Sequence, residues 1–229
     1  MLKRHWKFTA VFVLIALVHL IGQYLGIKSL ILYSRPLVVI SLSVYLIIAT
    51  KLKGRFHKRI LAALAFAVIG DVLLSTGSAS QQYFIYSLLA FMLCHILYIS
   101  AFYLDFKSAP ELDKKGAKLA IICCGLVATG FFFYIRPHLG IIRVPVLGYT
   151  LVISFMVMMA AFRNQRVNAL SFNLIIAGAI CFMLSDAILA YDKFVLEVSH
   201  AHLVIMVLYL VAQYLIVIGA VERKLLHNT

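Results

Sequence analysis

Apolar residues run along this chain in eight long stretches separated by short polar segments. The stretches fall near residues 8–25, 29–50, 59–77, 82–104, 118–135, 141–162, 169–191 and 202–221. Crossing about 30 Å of hydrocarbon takes about 20 helical residues at a rise of about 1.5 Å each, so each stretch is of spanning length. Strands are excluded as isolated spans, because a lone strand leaves its backbone groups unsatisfied in lipid. The longest polar segment, Asp105 to Lys118, has no room for a water-soluble domain. The pattern predicts an all-α polytopic membrane protein, a single domain over residues 1–229 with eight transmembrane helices.

Composition supports this reading, since 64% of the 229 residues are hydrophobic. The net charge of +13 would suggest nucleic acid in a soluble protein. Its distribution favours a membrane reading instead. With the N-terminus cytoplasmic, 16 of the 21 basic residues fall on the inner side. They lie at 3–7, 51–59, 107–118, 163–166 and 223–224. The outer segments hold Lys28, Arg136, Arg143 and Lys193, with Arg35 just inside the second span. That bias follows the positive-inside rule and places both termini in the cytoplasm. No nucleic-acid partner is expected. The four cysteines have no CxxC spacing and read as packing residues. The basic N-terminus and Phe8–Leu20 lack a following small-residue cleavage site, so the first stretch reads as an uncleaved helix.

Asp71 and Asp186 break two of the apolar stretches. A carboxylate at that depth costs about 2.5–3.5 kcal/mol even on a lenient insertion scale. Only eight acidic residues are present, so two at membrane depth point to a functional site. Their surroundings are alike: Ile69-Gly-Asp71-Val-Leu-Leu74 against Leu184-Ser-Asp186-Ala-Ile-Leu189. His95 on span four corresponds to Gln213 on span eight, and Pro36 on span two to Pro145 on span six. These matches suggest a 4+4 parallel internal repeat. The two aspartates are expected to face one cavity in the outer half of the membrane, reached by a lipid tail from between helices. Two carboxyls held close together do not both ionise, which leaves one as an acid and the other as a base.

Other polar residues sit near these. His95 shares a helix face with Phe91 and Tyr98, and Tyr209 shares one with Gln213. Tyr98, Tyr209 and Gln213 are candidate substrate-binding residues, or interhelical bonds. Arg35 reads equally as an interfacial anchor or as a phosphate ligand. His19 reads as a packing residue. His200 and His202, at i and i+2, do not share a helix face and have no clear third ligand, so no metal site is expected. Asp105, Glu111 and Asp113 read as solvated charges of the inner linker. No nucleophile elbow, P-loop or dinucleotide fingerprint is present.

An ordered set of short motifs resembles the YhhN family of integral membrane proteins, which are lysoplasmalogenase-like. It comprises Arg35-Pro36, Gly70-Asp71-Val-Leu-Leu, Phe91-Met-Leu-Cys-His95-Ile-Leu-Tyr98, Pro145-Val-Leu-Gly-Tyr149, Gly178-Ala-Ile-Cys-Phe-Met-Leu-Ser-Asp186, Lys193-Phe194 and Tyr209-Leu-Val-Ala-Gln213. The chain departs from the family pattern at Arg35, where Lys is usual, and at Cys94, where Gly is usual and where the added bulk is expected to narrow a pocket near His95. The resemblance implies hydrolysis of the vinyl-ether bond of a lysoplasmalogen to a fatty aldehyde and glycerophospho-ethanolamine or -choline. Such a reaction needs an acid that protonates the β-carbon, a group that stabilises the oxocarbenium ion, and a positioned water. Asp71 and Asp186 as acid and base, with His95 or Gln213 orienting water, suffice without a metal or cofactor. The implied partners are a lysophospholipid substrate and membrane lipids; no protein partner is implied. The membrane would be the inner membrane of a bacterial source or the endoplasmic reticulum of a eukaryotic one. Two other classes fit the same residues: a proton-coupled lipid or solute transporter, and a metal-dependent membrane lipid hydrolase of ceramidase type using His200 or His202.

Overall fold

A computed structural model describes residues 2–76 and 80–226. Eight helices follow one another along the chain: α1 Leu2–Tyr24, α2 Lys28–Thr50, α3 Arg55–Thr76, α4 Gln81–Ser108, α5 Lys114–Ile135, α6 Arg143–Ala161, α7 Ala169–Phe194 and α8 Ala201–Val221. All eight are long and apolar enough to cross a membrane. Gly77, the last residue of the expected third span, lies outside the described residues. Pro145 is the third residue of α6, where the N–H has no partner to lose. Pro36 lies two turns inside α2 and removes one intrahelical bond there.

Arg4 donates to Glu222 Oε1 at 3.1 Å, and His5 Nε2 lies 2.6 Å from the same oxygen. The first turn of α1 thus meets the residue after α8, and both chain ends sit at one end of the bundle, called here the terminal end.

The packing repeats between halves. α1 packs on α2, α2 on α3 and α3 on α4; likewise α5 packs on α6, α6 on α7 and α7 on α8. Across the halves α4 meets α6, and α8 meets α2. This order is consistent with the expected 4+4 parallel repeat. Small residues set the closest approaches. A Cβ on Gly70 would lie 2.9 Å from the Phe91 ring, and one on Gly178 2.9 Å from the Ala212 carbonyl oxygen. The symmetry fails at the periphery: α1 reaches α8, whereas α5 touches mainly α6 and exposes most of its apolar surface.

The terminal end corrects one expectation. α4 runs on past residue 104, so Asp105 belongs to the helix and is fully buried. Its Oδ2 accepts from Arg163 Nε at 2.8 Å and its Oδ1 from Arg223 Nε at 2.7 Å. Arg163 also donates to the Ser171 hydroxyl at 2.9 Å. Buried Arg166 donates to the carbonyls of Ala109 and Leu112 at 2.8 and 2.6 Å. Asp105 is therefore an internal tie between α4, the α6–α7 turn and the C-terminal segment, because a carboxylate with two guanidinium partners tolerates burial. Glu111 is exposed beside Lys114, as expected, while Asp113 caps α5 through the Gly116 N–H at 3.0 Å.

Candidate active site

Asp71 is the seventeenth residue of α3 and Asp186 the eighteenth of α7, so the two carboxyls stand at like depth in the half of the bundle away from the terminal end. They belong to two separate hydrogen-bonded groups.

The first group joins α2, α3 and α8. Asp71 has no exposed surface. Its Oδ1 accepts from Arg35 Nε at 2.8 Å and its Oδ2 from the Tyr209 hydroxyl at 2.7 Å. The Arg35 guanidinium also lies 5.9 Å from the Tyr209 ring centre. Neither sequence reading of Arg35, anchor or phosphate ligand, anticipated this ion pair. The Arg35 side chain is 12% exposed, so the pair sits just beneath the surface of the bundle.

The second group joins α4, α6 and α7. The Tyr149 hydroxyl donates to Asp186 Oδ2. His95 Nε2 lies 3.9 Å from the same oxygen, beyond hydrogen-bond length. His95 is fully buried, and neither of its ring nitrogens has a hydrogen-bond partner among the described residues. Its ring meets Phe182 edge-on at 4.6 Å and Tyr149 at 5.4 Å.

Between the groups stand aromatic rings. Phe182 meets Tyr209 edge-on at 5.4 Å, and Phe91 meets it at 6.0 Å. Nearby, Tyr98 donates to Gln213 Oε1 at 2.6 Å, and the Gln213 amide nitrogen has no partner among the described residues. The arrangement crosses the two halves. The aspartate of α3 is met by Tyr209 from α8, and the aspartate of α7 is approached by His95 from α4.

A cavity of about 260 Å³ opens beside Asp186. Its walls come from α3 through α7 and are almost wholly apolar: Leu74, Phe91, Ala128, Phe131, Val146, Ile153, Met183 and others. The polar side chains on it are Asp186, Tyr149, Thr150, Ser87 and Ser154. Asp71 and Arg35 do not line it, so the expectation of one cavity shared by both aspartates is met by Asp186 alone. Cys94 is buried in the core and does not line it either. An apolar cleft with a few converging polar groups is the usual form of a small-molecule site.

Tyr149 was not singled out from the sequence as a site residue, although it closes a quoted motif one turn beyond Pro145. A tyrosine one turn after a proline near the start of an apolar helix was the available signal. His19 packs as expected, with Nδ1 2.7 Å from the Ser34 hydroxyl. His200 and His202 are exposed at the start of α8. Among the described residues no three His, Cys, Asp or Glu side chains converge as metal ligands.

Residues 30–220 match the YhhN family. A protein of Bos taurus named Lysoplasmalogenase TMEM86A is 34% identical over 170 residues, which cover 72% of this chain and 66% of that protein. Its Homo sapiens counterpart is 30% identical over 172 residues, covering 72% and 66%. A protein of Mycobacterium tuberculosis named Lysoplasmalogenase is 28% identical over 146 residues, covering 62% of this chain and 52% of that one. The chain thus spans a little under two thirds, or less, of these relatives. No solved structure matches it. With a family match that runs from the start of α2 nearly to the end of α8, the chain belongs to the YhhN family.

Proposed function

We propose that this protein hydrolyses the vinyl-ether bond of a lysoplasmalogen within the membrane, releasing a fatty aldehyde and a glycerophospho-ethanolamine or -choline. The observation that carries the reading is Asp186: a carboxyl tethered by Tyr149 on the wall of an apolar cavity, 3.9 Å from a histidine whose nitrogens are free among the described residues. The relatives named lysoplasmalogenase support the same chemistry.

In the proposed reaction Asp186 gives its proton to the β-carbon of the vinyl ether. A C–H bond forms, the C=C π bond is lost, and the adjacent carbon becomes an oxocarbenium centre. The carboxylate left behind faces that cation and stabilises it. Water, held by His95, adds to the cationic carbon and returns a proton to Asp186. The hemiacetal then passes its hydroxyl proton to the glycerol oxygen as that C–O bond breaks. One water is consumed, and the carboxyl is restored. A carboxyl that serves as acid and then as base follows the logic of retaining glycosidases. Asp71 acts in this scheme as a positioning residue: it fixes the Tyr209 hydroxyl, whose ring packs against the Phe182 wall beside His95. The bundle is placed with its terminal end in the cytoplasm, from the charge bias of its connecting segments.

The test is aldehyde release by purified protein in detergent, with a synthetic lysoplasmalogen as the only lipid substrate. Asp186→Asn should lower turnover by roughly 10²–10⁴-fold, the usual worth of a general acid or base. A wild-type protein that releases no aldehyde, or an Asp186→Asn variant with wild-type turnover, would end the proposal.

A further inference from the structure

We propose that Lys193 holds the phosphate of the substrate lipid at the mouth of the Asp186 cavity; this rests on the lipid-hydrolase reading of that cavity. Lys193 and Asp186 lie seven residues apart on α7. Two turns of helix bring a side chain back to within about 20° of the same face, at about 10.5 Å further along the axis. Lys193 is exposed in the last turn of α7, at the end of the bundle away from the termini. Its ammonium lies 5.5 Å from the centre of the Phe84 ring. Phe84 meets Phe194 edge-on at 5.8 Å, and both rings line the cavity. The ammonium is thus held over a ring of the cavity wall. The neighbouring acid, Asp192, accepts from the Val198 N–H at 2.8 Å and is engaged with its own loop.

The spacing suits the substrate. Seven bonds separate the phosphorus of a lysoplasmalogen from its vinyl β-carbon, which is about 8 Å at the advance per bond of an extended chain. That length is of the same order as the helix rise between Lys193 and Asp186, so a lipid whose phosphate rests on Lys193 can bring its vinyl ether to the Asp186 cavity, where Ile153 and Met183 offer an apolar wall to the alkenyl chain. An ammonium binds phosphate as a compact point charge. It reads what ethanolamine and choline lysolipids share, so Lys193 selects for the phosphate and not for either headgroup.

The experiment compares wild type, Lys193→Gln and Lys193→Arg on two cleavable lipids: an alkenyl lysophospholipid and the corresponding 1-alkenylglycerol, which lacks phosphate. Calorimetric binding of an uncleavable 1-alkyl lysophospholipid and its 1-alkylglycerol runs alongside. Lys193→Gln should raise KM and Kd for the phospholipids roughly tenfold, the lower end of a charge-assisted hydrogen bond. It should leave those for the glycerols unmoved, and Lys193→Arg should restore most of the loss. Equal losses on both lipid types, or no loss on either, would overturn the assignment, as would a wild type that binds neither lipid. Binding that depends on Lys193 in a protein that releases no aldehyde would uphold the anchor and discard the hydrolase.

Discussion

Arg35 and Asp71 form the tightest test of how this bundle carries charge at membrane depth. Asp71 has no exposed surface, while the Arg35 side chain keeps 12% and lies only two turns from the start of α2. The two single substitutions should therefore be unequal. Arg35→Gln leaves a fully buried carboxylate with one neutral donor, Tyr209, and breaking a buried pair in this way costs about 3–5 kcal/mol. Asp71→Asn leaves a guanidinium that can extend along its stem toward the interface, so its cost should approach that of one lost charged hydrogen bond, about 1.5–3 kcal/mol. The double variant has no buried charge, and Tyr209 can still donate to the carbonyl of the new side-chain amide. Exchange of a whole buried pair for neutral groups is often close to neutral, so the double should be more stable than either single. Stability would be read by denaturant unfolding of all four proteins in one detergent, with monodispersity followed by size-exclusion chromatography. Strictly additive costs, or an Asp71→Asn variant less stable than Arg35→Gln, would refute the reasoning.

Hydrolysis in D₂O should place one deuterium on the carbon next to the aldehyde, as mass spectrometry of the product would show; an unlabelled carbon would exclude β-carbon protonation. His95→Gln should reduce aldehyde release less than Asp186→Asn does, because Gln can still hold a water, whereas Tyr149→Phe should lower it by freeing the Asp186 carboxyl from its tether. Asp105→Asn should destabilise the protein by about 3–5 kcal/mol, since it leaves buried Arg163 without its carboxylate, and the same unfolding assay would detect it. A cysteine replacing Lys53 should resist an impermeant thiol reagent in intact cells while one replacing Lys193 reacts; the reverse pattern would invert the proposed topology.

The eight helices were legible because spanning length and hydropathy are local properties. Their ends were less so. Asp105 read as a loop charge because its partners Arg163 and Arg223 are distant in sequence, and only packing brings them to one carboxylate. Arg35 and Asp71 are a similar case: each stood out alone, but their pairing depends on the rotation of α2 against α3. The paired Asp motifs suggested a 4+4 repeat, and the helices of the two halves pack in matching order. A cavity beside the aspartates was expected, but its walls were not readable, because they depend on the loosely packed α5 contributing Ala128 and Phe131 and on Asp71 being closed off by its own partners.

The matching order of the two halves sets two similar motifs at two different sites. Each aspartate sits late in the third helix of its half; Asp71 accepts from Tyr209 of α8, and His95 of α4 approaches Asp186 to 3.9 Å. In the first half α2 supplies Arg35, and its guanidinium occupies the carboxylate directly. In the second half the corresponding helix, α6, supplies a tyrosine hydroxyl in place of a cation, and the space beside it is a cavity. A carboxyl whose two oxygens are taken by a guanidinium and a hydroxyl has no free face toward a substrate. A carboxyl held by a neutral donor on an apolar wall can carry a proton and then turn anionic in front of a cationic intermediate. Under the proposed reaction the two roles are thus divided before any lipid enters: the first half braces the aromatic wall, and the second handles the proton.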